Sequence, residues 1–361
     1  MSKKVYVGMS GGVDSSVTAA LLVEQGYDVT GVYMKNWSQD LPGMACPWKE
    51  DYADAKRVAV QLGIPFKMFD FESDYRQKVV DYMIEGYRAG RTPNPDVMCN
   101  QEIKFKVFLD ASIIDGADMI ATGHYARVDH NRSDHSVWPA GRARLLTGTD
   151  TNKDQSYFLY RVSSDALSKT LMPIGAYQKP QVRELARKFG LATAEKKDSQ
   201  GICFVGKVGI KDFLLHELGE QPHGPIVDGQ GRVIGEHDGA IFYTIGQRHG
   251  LNVGGGLPYY VTGKDMTRNE VQVTTDLQDE GLWARQLTLA DIHWINGRPE
   301  AGAGLQVRSR YRAPLVRVTG IEDAPDGRLR LLLEDDVRAV TPGQSAVVYD
   351  DDHCLGGGIV V

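Results

Sequence analysis

The chain has 361 residues, 42% of them apolar and 24% charged, with a formal net charge of −6. This length exceeds one ordinary core and implies two or three globular domains, with no low-complexity tract. No run of about 18 apolar residues occurs that would span a membrane, and the acidic balance means that RNA binding would need local basic patches. Met1-Ser2-Lys3-Lys4 leads into a glycine- and aspartate-containing motif instead of a signal-peptide core, which points to the cytosol. The four cysteines, Cys46, Cys99, Cys203 and Cys354, form no C-x-x-C pair, a spacing wrong for a zinc knuckle or disulfide scaffold. Free thiols are expected, any disulfide being transient and catalytic.

In chain order, Lys4–Met9 reads as a buried strand, and Val17, Ala20 and Leu21 recur at helical spacing before Gly26 stops the helix. Between strand and helix lies Ser10-Gly11-Gly12-Val13-Asp14-Ser15-Ser16. A glycine-containing turn that opens a helix presents backbone N–H groups and the positive end of the helix dipole to an anion, and pyrophosphate fits. The loop lacks the Gly-Lys-Ser/Thr ending of the Walker loop and the G-x-G-x-x-G of dinucleotide folds. It resembles the pyrophosphate loop of ATP pyrophosphatases, which cleave ATP between the α and β phosphates and adenylate a carbonyl oxygen. A turn without a ligand is the alternative, and it leaves three hydroxyls and a carboxylate without a purpose.

A second strand is expected over Val29–Met34, a helix over 48–62 ended by Gly63, and a third strand from Ile64. Helices follow over about 74–87 and 101–114, then a strand over Asp118–Thr122 running into Gly123-His124-Tyr125. The alternation predicts an α/β fold with a parallel sheet and ligands at the strands' carboxyl ends, where Met34 and Gly123 lie. A helix is expected over 178–189, followed by a polar segment that carries Cys203. Beyond about 208, dense Gly, Asp and Pro turns predict a small, mostly β domain over 208–280, and from 281 short strands predict a compact β-barrel.

Four constellations could carry chemistry. In Arg91–Asn100 two prolines stiffen a loop, and Asn100 is expected to cap the next helix, which would place Cys99 where a thiolate is favoured, with Asp96 close by. A rigid turn with a structural cysteine fits that stretch equally well. Cys203, between Ile202 and Phe204, also fits a buried position. Lys153-Asp154-Gln155-Ser156-Tyr157 is a polar, aromatic loop able to hold a phosphate or a base. In Val307–Arg312, an extended strand would set Arg308, Arg310 and Arg312 on one face, as phosphate-backbone binding needs; an edge strand charged against aggregation is the alternative.

Together these pieces resemble one family over nearly the whole chain, the bacterial tRNA-specific 2-thiouridylases, which replace the 2-oxygen of the wobble uridine with sulfur. Besides the loop, the marks are Gly90-Arg91-Thr92-Pro93-Asn94-Pro95, Ala121-Thr122-Gly123-His124-Tyr125-Ala126-Arg127 and Lys153-Asp154-Gln155-Ser156-Tyr157-Phe158-Leu159. Lys197-Asp198-Ser199-Gln200-Gly201-Ile202-Cys203-Phe204, Tyr243-Thr244-Ile245-Gly246-Gln247-Arg248 and Thr341-Pro342-Gly343-Gln344 complete them. The resemblance implies an adenine nucleotide α-hydrolase-like (Rossmann-like) domain over 1–207, with the central domain and barrel following. It assigns ATP to Gly8, Met9, Ser10, Gly11, Gly12, Val13, Asp14, Ser15, Met34 and Gly123, and the target base to Asn94, Pro95 and Asp96.

It further implies Cys99 as nucleophile, Cys203 as persulfide carrier and a transient Cys99–Cys203 disulfide, with Asp96 as general acid or base. His124, Lys153, Asp154, Gln155, Tyr311, Arg312 and Gln344 would touch tRNA, joined by Arg308 and Arg310 from the arginine row. Mg²⁺ would accompany ATP, with Asp14 as a candidate ligand. Partners would be the tRNAs for Lys, Glu and Gln and a sulfur donor, either a cysteine desulfurase or a relay protein. Two other readings stay open: an adenylating ligase or amidotransferase acting on a small metabolite, and a non-catalytic RNA-binding protein with a nucleotide switch.

Overall fold

Alternation along β1 (Lys4–Gly8) sorts its side chains into two cores: Tyr6 faces one, Val5 and Val7 the other, and all three are fully buried. In this computed structural model the described residues are 2–41, 46–130, 142–197, 209–251, 253–254, 256–300, 302 and 304–361. β2 (Asp28–Lys35), β3 (Phe66–Asp70) and β4 (Met119–Ala121) join β1 in a parallel sheet. A hairpin of β5 (Ala126–Asp129) and β6 (Arg144–Thr147) leaves this sheet, and the short β7 (Thr170–Leu171) returns to it, giving the order β3-β2-β1-β4-β7.

One face of the sheet is covered by α1 (Val13–Glu24), α2 (Trp48–Leu62) and the helix Lys179–Lys188, which close over Val17, Leu21, Val58, Ala59 and Val182. The other face is covered by helical stretches over 72–88 and 95–114, which bury Tyr75, Val79, Met83, Ile103 and Phe108. Each such buried apolar side chain contributes roughly 1.5–3 kcal/mol. Strand order reverses between β1 and β4, so the crevice at their carboxyl ends is the expected ligand position of an open α/β sheet.

A helix not expected from the sequence, Ile210–Leu218, opens the central region. It buries Phe213 and Leu214 beside Trp37 and Tyr75, and Glu217 takes both ends of the Arg76 guanidinium at 3.0 and 2.6 Å. A four-stranded sheet follows from β8 (Gly224–Val227), β9 (Val233–His237), β10 (Tyr260–Asp265) and β11 (Glu270–Thr274), ordered β10-β11-β8-β9.

The last third is β12 (Trp283–Trp294), β13 (Leu305–Arg308), β14 (Val316–Ala324), β15 (Arg328–Arg338), β16 (Ser345–Asp350) and β17 (His353–Val360). These close into a barrel in the order β12-β15-β14-β13-β16-β17, with β17 returning to β12. β12, β14 and β15 run 12, 9 and 11 residues, longer than the short strands expected. Register shifts at Ala284/Gln286, Ala290/His293 and Val318/Gly320 bend them round the closure. The glycines near the chain end are needed where β17 is squeezed between β12 and β16. A Cβ on Gly356 would lie 2.2 Å from the His293 carbonyl, and one on Gly357 2.1 Å from that of Ala346. Outside the closed barrel, β6 pairs with β17, setting Leu145 opposite Cys354 and Leu146 opposite His353.

Candidate active site

The anion loop forms where β1 hands over to α1. Gly12 is the extended residue before the first helical turn; Ser15 Oγ accepts from the Ser10 N–H at 3.2 Å, and the Ser16 hydroxyl donates to the Gly12 carbonyl at 2.8 Å. The N–H groups of that first turn have no partner within the helix, which makes the turn an anion site. Gly123, just past β4, rests directly on this turn: a Cβ there would stand 2.8 Å from the Ser15 nitrogen and 2.9 Å from the Asp14 carbonyl carbon. Met34 Cε would lie 2.9 Å from a Cβ on Gly8. Gly8, the loop, Met34 and Gly123 thus converge at the strand-order reversal, as their sequence positions suggested.

Asp14 is already engaged. Its carboxylate accepts from Lys179 Nζ at 2.8 and 2.9 Å and from the Tyr125 hydroxyl at 2.8 Å. The metal role suggested for Asp14 therefore does not fit this arrangement, because the carboxylate is neutralised by an ammonium. Among the described residues, no three His, Cys, Asp or Glu side chains are grouped as a cation site.

The stretch carrying Asp96 and Cys99 differs from its expectation. Helix begins at Pro95, and the cap is Asn94, whose Oδ1 accepts from the N–H groups of Asp96 and Val97 at 3.1 and 3.4 Å. Asn100 is not a cap: it is buried one turn into the helix, its amide donating to the Phe158 carbonyl at 3.1 Å. Cys99 consequently sits inside the helix, 5% exposed, and burial pushes its thiol upward. Asp96 adds to that rise, while Lys104 and a hydrogen bond from Tyr75 oppose it. The Asp96 carboxyl, one turn earlier, is also raised by burial, with Lys104 opposing. From Cys99 to Val107 the helix widens to π-type turns, as does the facing segment Arg76–Val80. Such widening often marks functional positions. Phe108 of the same helix would meet a Cβ on Gly8 at 3.5 Å, so the Cys99 helix passes the end of β1 where the anion loop begins.

The barrel and the central region hold the loop before Asn94. Thr92 N–H donates to the Pro342 carbonyl at 2.8 Å, the Gln344 amide donates to the Thr92 carbonyl at 2.7 Å, and the Thr92 and Thr244 hydroxyls are 3.1 Å apart. Gln344, expected to contact tRNA, here braces the loop before Asn94.

The remaining expected tRNA contacts divide. Asp154 is buried and accepts from Gly148 N–H, Ser156 N–H and the Ser156 hydroxyl. Gln155 Oε1 accepts from the Tyr125 N–H at 2.9 Å. Lys153 is half-buried on the same loop. His124 is also buried, with Nδ1 2.8 Å from the Thr122 hydroxyl and its ring against Phe105; burial holds it well below the ordinary histidine range.

The arginine row does not form. β13 ends at Arg308 and the chain turns, with Arg312 at φ +62°, so the three guanidinium groups diverge. Arg308 meets Asp154 at 3.3 Å and lies over the Tyr349 ring. Arg310 donates to Thr341 Oγ1 at 2.9 Å and the Ala339 carbonyl at 3.2 Å. Arg312 is exposed, donates to the Asn152 carbonyl and covers Tyr311. Tyr311 stacks on Phe158 with centroids 4.5 Å apart, and the Phe158 carbonyl is the one Asn100 holds, so Tyr311 and Arg312 lie two contacts from Cys99.

Cys203 and the segment 198–208 lie outside the described residues. Cys354 is buried in the barrel, its thiol raised far above the ordinary range by burial. Lys179, Tyr125, Thr92 and Thr244 were missed as site residues. Tyr125, Thr92 and Thr244 stand inside quoted motifs, but nothing local marked Lys179.

Residues 3–207 match the family described as tRNA methyl transferase HUP domain, 211–275 its PRC-barrel domain, and 284–360 the aminomethyltransferase beta-barrel domain. The tRNA-specific 2-thiouridylase MnmA of Geobacillus thermodenitrificans is 48% identical over 99% of this chain and 94% of its own length, and that of Bacillus subtilis is 47% identical with the same coverage. A 4-thiouridine synthetase–RNA complex with bound ATP overlaps 60% of this chain and 50% of that one at 16% identity and a TM-score of 0.38, too partial a likeness to bear on chemistry. On its full-length likeness, the chain belongs to the tRNA-specific 2-thiouridylase family.

Proposed function

We propose that this chain uses ATP to activate the 2-carbonyl of the wobble uridine in tRNA and replaces its oxygen with sulfur, in the cytosol. A uracil 2-oxygen is a poor leaving group; adenylation converts it to AMP, and the pyrophosphate released is received by the loop Ser10–Ser16. Mg²⁺ would accompany the phosphates of ATP and share their charge.

The observation that supports this reading is that the helix carrying Asp96 and Cys99 runs on to Phe108, which packs against the end of β1 where the anion loop begins. Burial raises the Asp96 carboxyl, which favours its protonated form and suits it to giving a proton to a departing oxygen. A persulfide on Cys203 attacks C2 through its terminal sulfur and AMP leaves. The Cys99 thiol, its proton passing to the carboxylate left on Asp96, then attacks the Cys203 sulfur, so the S–S bond to the base breaks, its electron pair staying on the thiolated base, and a Cys99–Cys203 disulfide forms. A thiol reductant must restore both cysteines, and a cysteine desulfurase or relay protein must reload the persulfide. The tRNAs for Lys, Glu and Gln are the expected substrates.

The test is mass spectrometry of nucleosides from unmodified tRNA incubated with protein, ATP, Mg²⁺ and a persulfide source. Sulfur in place of oxygen at the wobble uridine, lost in Cys99→Ala and in Cys203→Ala, is expected. AMP formed from a small acid or amide without RNA would move the assignment to an adenylating ligase.

A further inference from the structure

An anion site lined by a carboxylate is electrostatically inconsistent unless something cancels the carboxylate. Asp14 occupies the first turn of α1, beside the N–H groups that receive phosphate, and a bare negative charge there would repel a polyphosphate and oppose the helix dipole's attraction for it. The chain supplies the cancelling charge from 165 residues away. Lys179 stands at the first position of the helix Lys179–Lys188, its side chain only 13% exposed, with Nζ on both Asp14 oxygens and 5.6 Å from the centre of the Tyr125 ring. It is fixed at its backbone too, the Lys179 N–H donating to Asp150 Oδ2 at 2.8 Å. Asp150 Oδ1 in turn accepts from the N–H groups of Asn152 and Lys153.

We propose that Lys179 is a positioning residue for the nucleotide: by pairing with Asp14 it cancels the carboxylate's charge at the mouth of the loop, and it holds Asp14 and the first turn of α1 in the geometry that accepts the β and γ phosphates. Tyr125 completes the arrangement by donating to Asp14 Oδ1. This rests on the reading that ATP binds at Ser10–Ser16.

The test is calorimetric titration of ATP, pyrophosphate and adenosine into the full-length protein and its variants Lys179→Met, Lys179→Arg, Asp14→Asn and the double variant Asp14→Asn/Lys179→Met. An uncancelled unit charge near the phosphates corresponds to roughly a tenfold loss of affinity. Lys179→Met should therefore bind ATP and pyrophosphate about tenfold more weakly, with adenosine unchanged. Lys179→Arg should stay near wild type, and the double variant should recover most of the loss, which a merely structural role for Lys179 would not produce. Wild-type affinity in Lys179→Met, or a double variant no better than the single, overturns the inference. Failure of the wild-type protein to bind ATP or pyrophosphate would instead remove the functional reading and this inference with it.

Discussion

Arg308 and Arg312 are four residues apart and do opposite work. Arg308 is mostly buried against Asp154, itself 4% exposed, so Arg308→Met leaves a buried carboxylate short of its counter-charge. Breaking such a pair from one side costs about 3 kcal/mol, and the melting temperature should drop by several degrees while the salt dependence of tRNA binding keeps its slope. Arg312 is exposed on Tyr311, so Arg312→Ala should do the reverse: unchanged melting, weaker tRNA binding and a log–log salt slope shallower by about one. Equal effects of the two substitutions on both readouts would refute this division. His124 gives a second expectation at this scale. Burial keeps it neutral when folded, whereas the unfolded chain takes up a proton below about pH 6.5. Its contribution to stability is therefore intact above pH 6.5 and is lost as the pH falls below it. In His124→Gln, urea unfolding between pH 7 and pH 5 should lose less stability than in wild type; an identical slope would show that His124 takes up its proton without opening the fold.

The loop 91–96 is the element on which the proposed reaction turns, and it is held by other elements more than by itself. Its anchor on the barrel is a glycine at φ +94°, Gly343, where a Cβ would fall 2.8 Å from the Thr92 nitrogen. Gly343→Ala combines strained backbone with a clash, at about 1–3 kcal/mol, and should displace the Thr92 backbone. We expect turnover to fall at least tenfold with ATP affinity unchanged; Gln344→Ala, which removes one bond to Thr92, should follow it more mildly. Full turnover in Gly343→Ala would show that the loop needs no brace. What the sequence made legible here follows from the range of the interactions. The glycine turn and helix around Ser10–Ser16 were readable because their hydrogen bonds are local, as was the helix end at Gly63, and the strand before them was readable from its apolar run. The Asn94 cap was misplaced onto Asn100 because two asparagines flank the same short stretch and only the path of the chain chooses between them. The arginine row failed for a similar reason: a run of alternating arginines reads as a strand, but Tyr311 is drawn onto Phe158, 153 residues earlier in the chain, and the backbone turns to reach it. Lys179 was invisible because its partner is in the first helix.

At the scale of the molecule, the hairpin β5–β6 makes the α/β sheet domain and the barrel a single cohesive body. The apolar cluster containing Tyr6, Ile103 and Phe108 continues through Leu145, Tyr157 and Tyr160 to Val347, Tyr349 and Cys354. Polar ties reinforce it: the buried Tyr157 hydroxyl donates to the Ser345 carbonyl at 2.8 Å, and Arg127 meets Asp352 at 2.7 Å. A chain ending at residue 280 would leave β6 without β17 on one side and expose Leu145, Tyr157 and Tyr160, each having gained roughly 1.5–3 kcal/mol from burial. Residues 1–280 should therefore aggregate or bind a hydrophobic dye, and calorimetry of the intact protein should show the sheet domain and barrel melting in one transition. A soluble 1–280 fragment with native ATP affinity, or two separated transitions assigned by hydrogen exchange to sheet and barrel, would show that they are independent. The proposed function gives this a consequence: a tRNA docked on Arg312 and Tyr311 would be registered against Phe158, Asn100 and Cys99 through packed side chains. In a protein whose barrel melts with its sheet, the distance from the docking surface to the reacting base is set by the core.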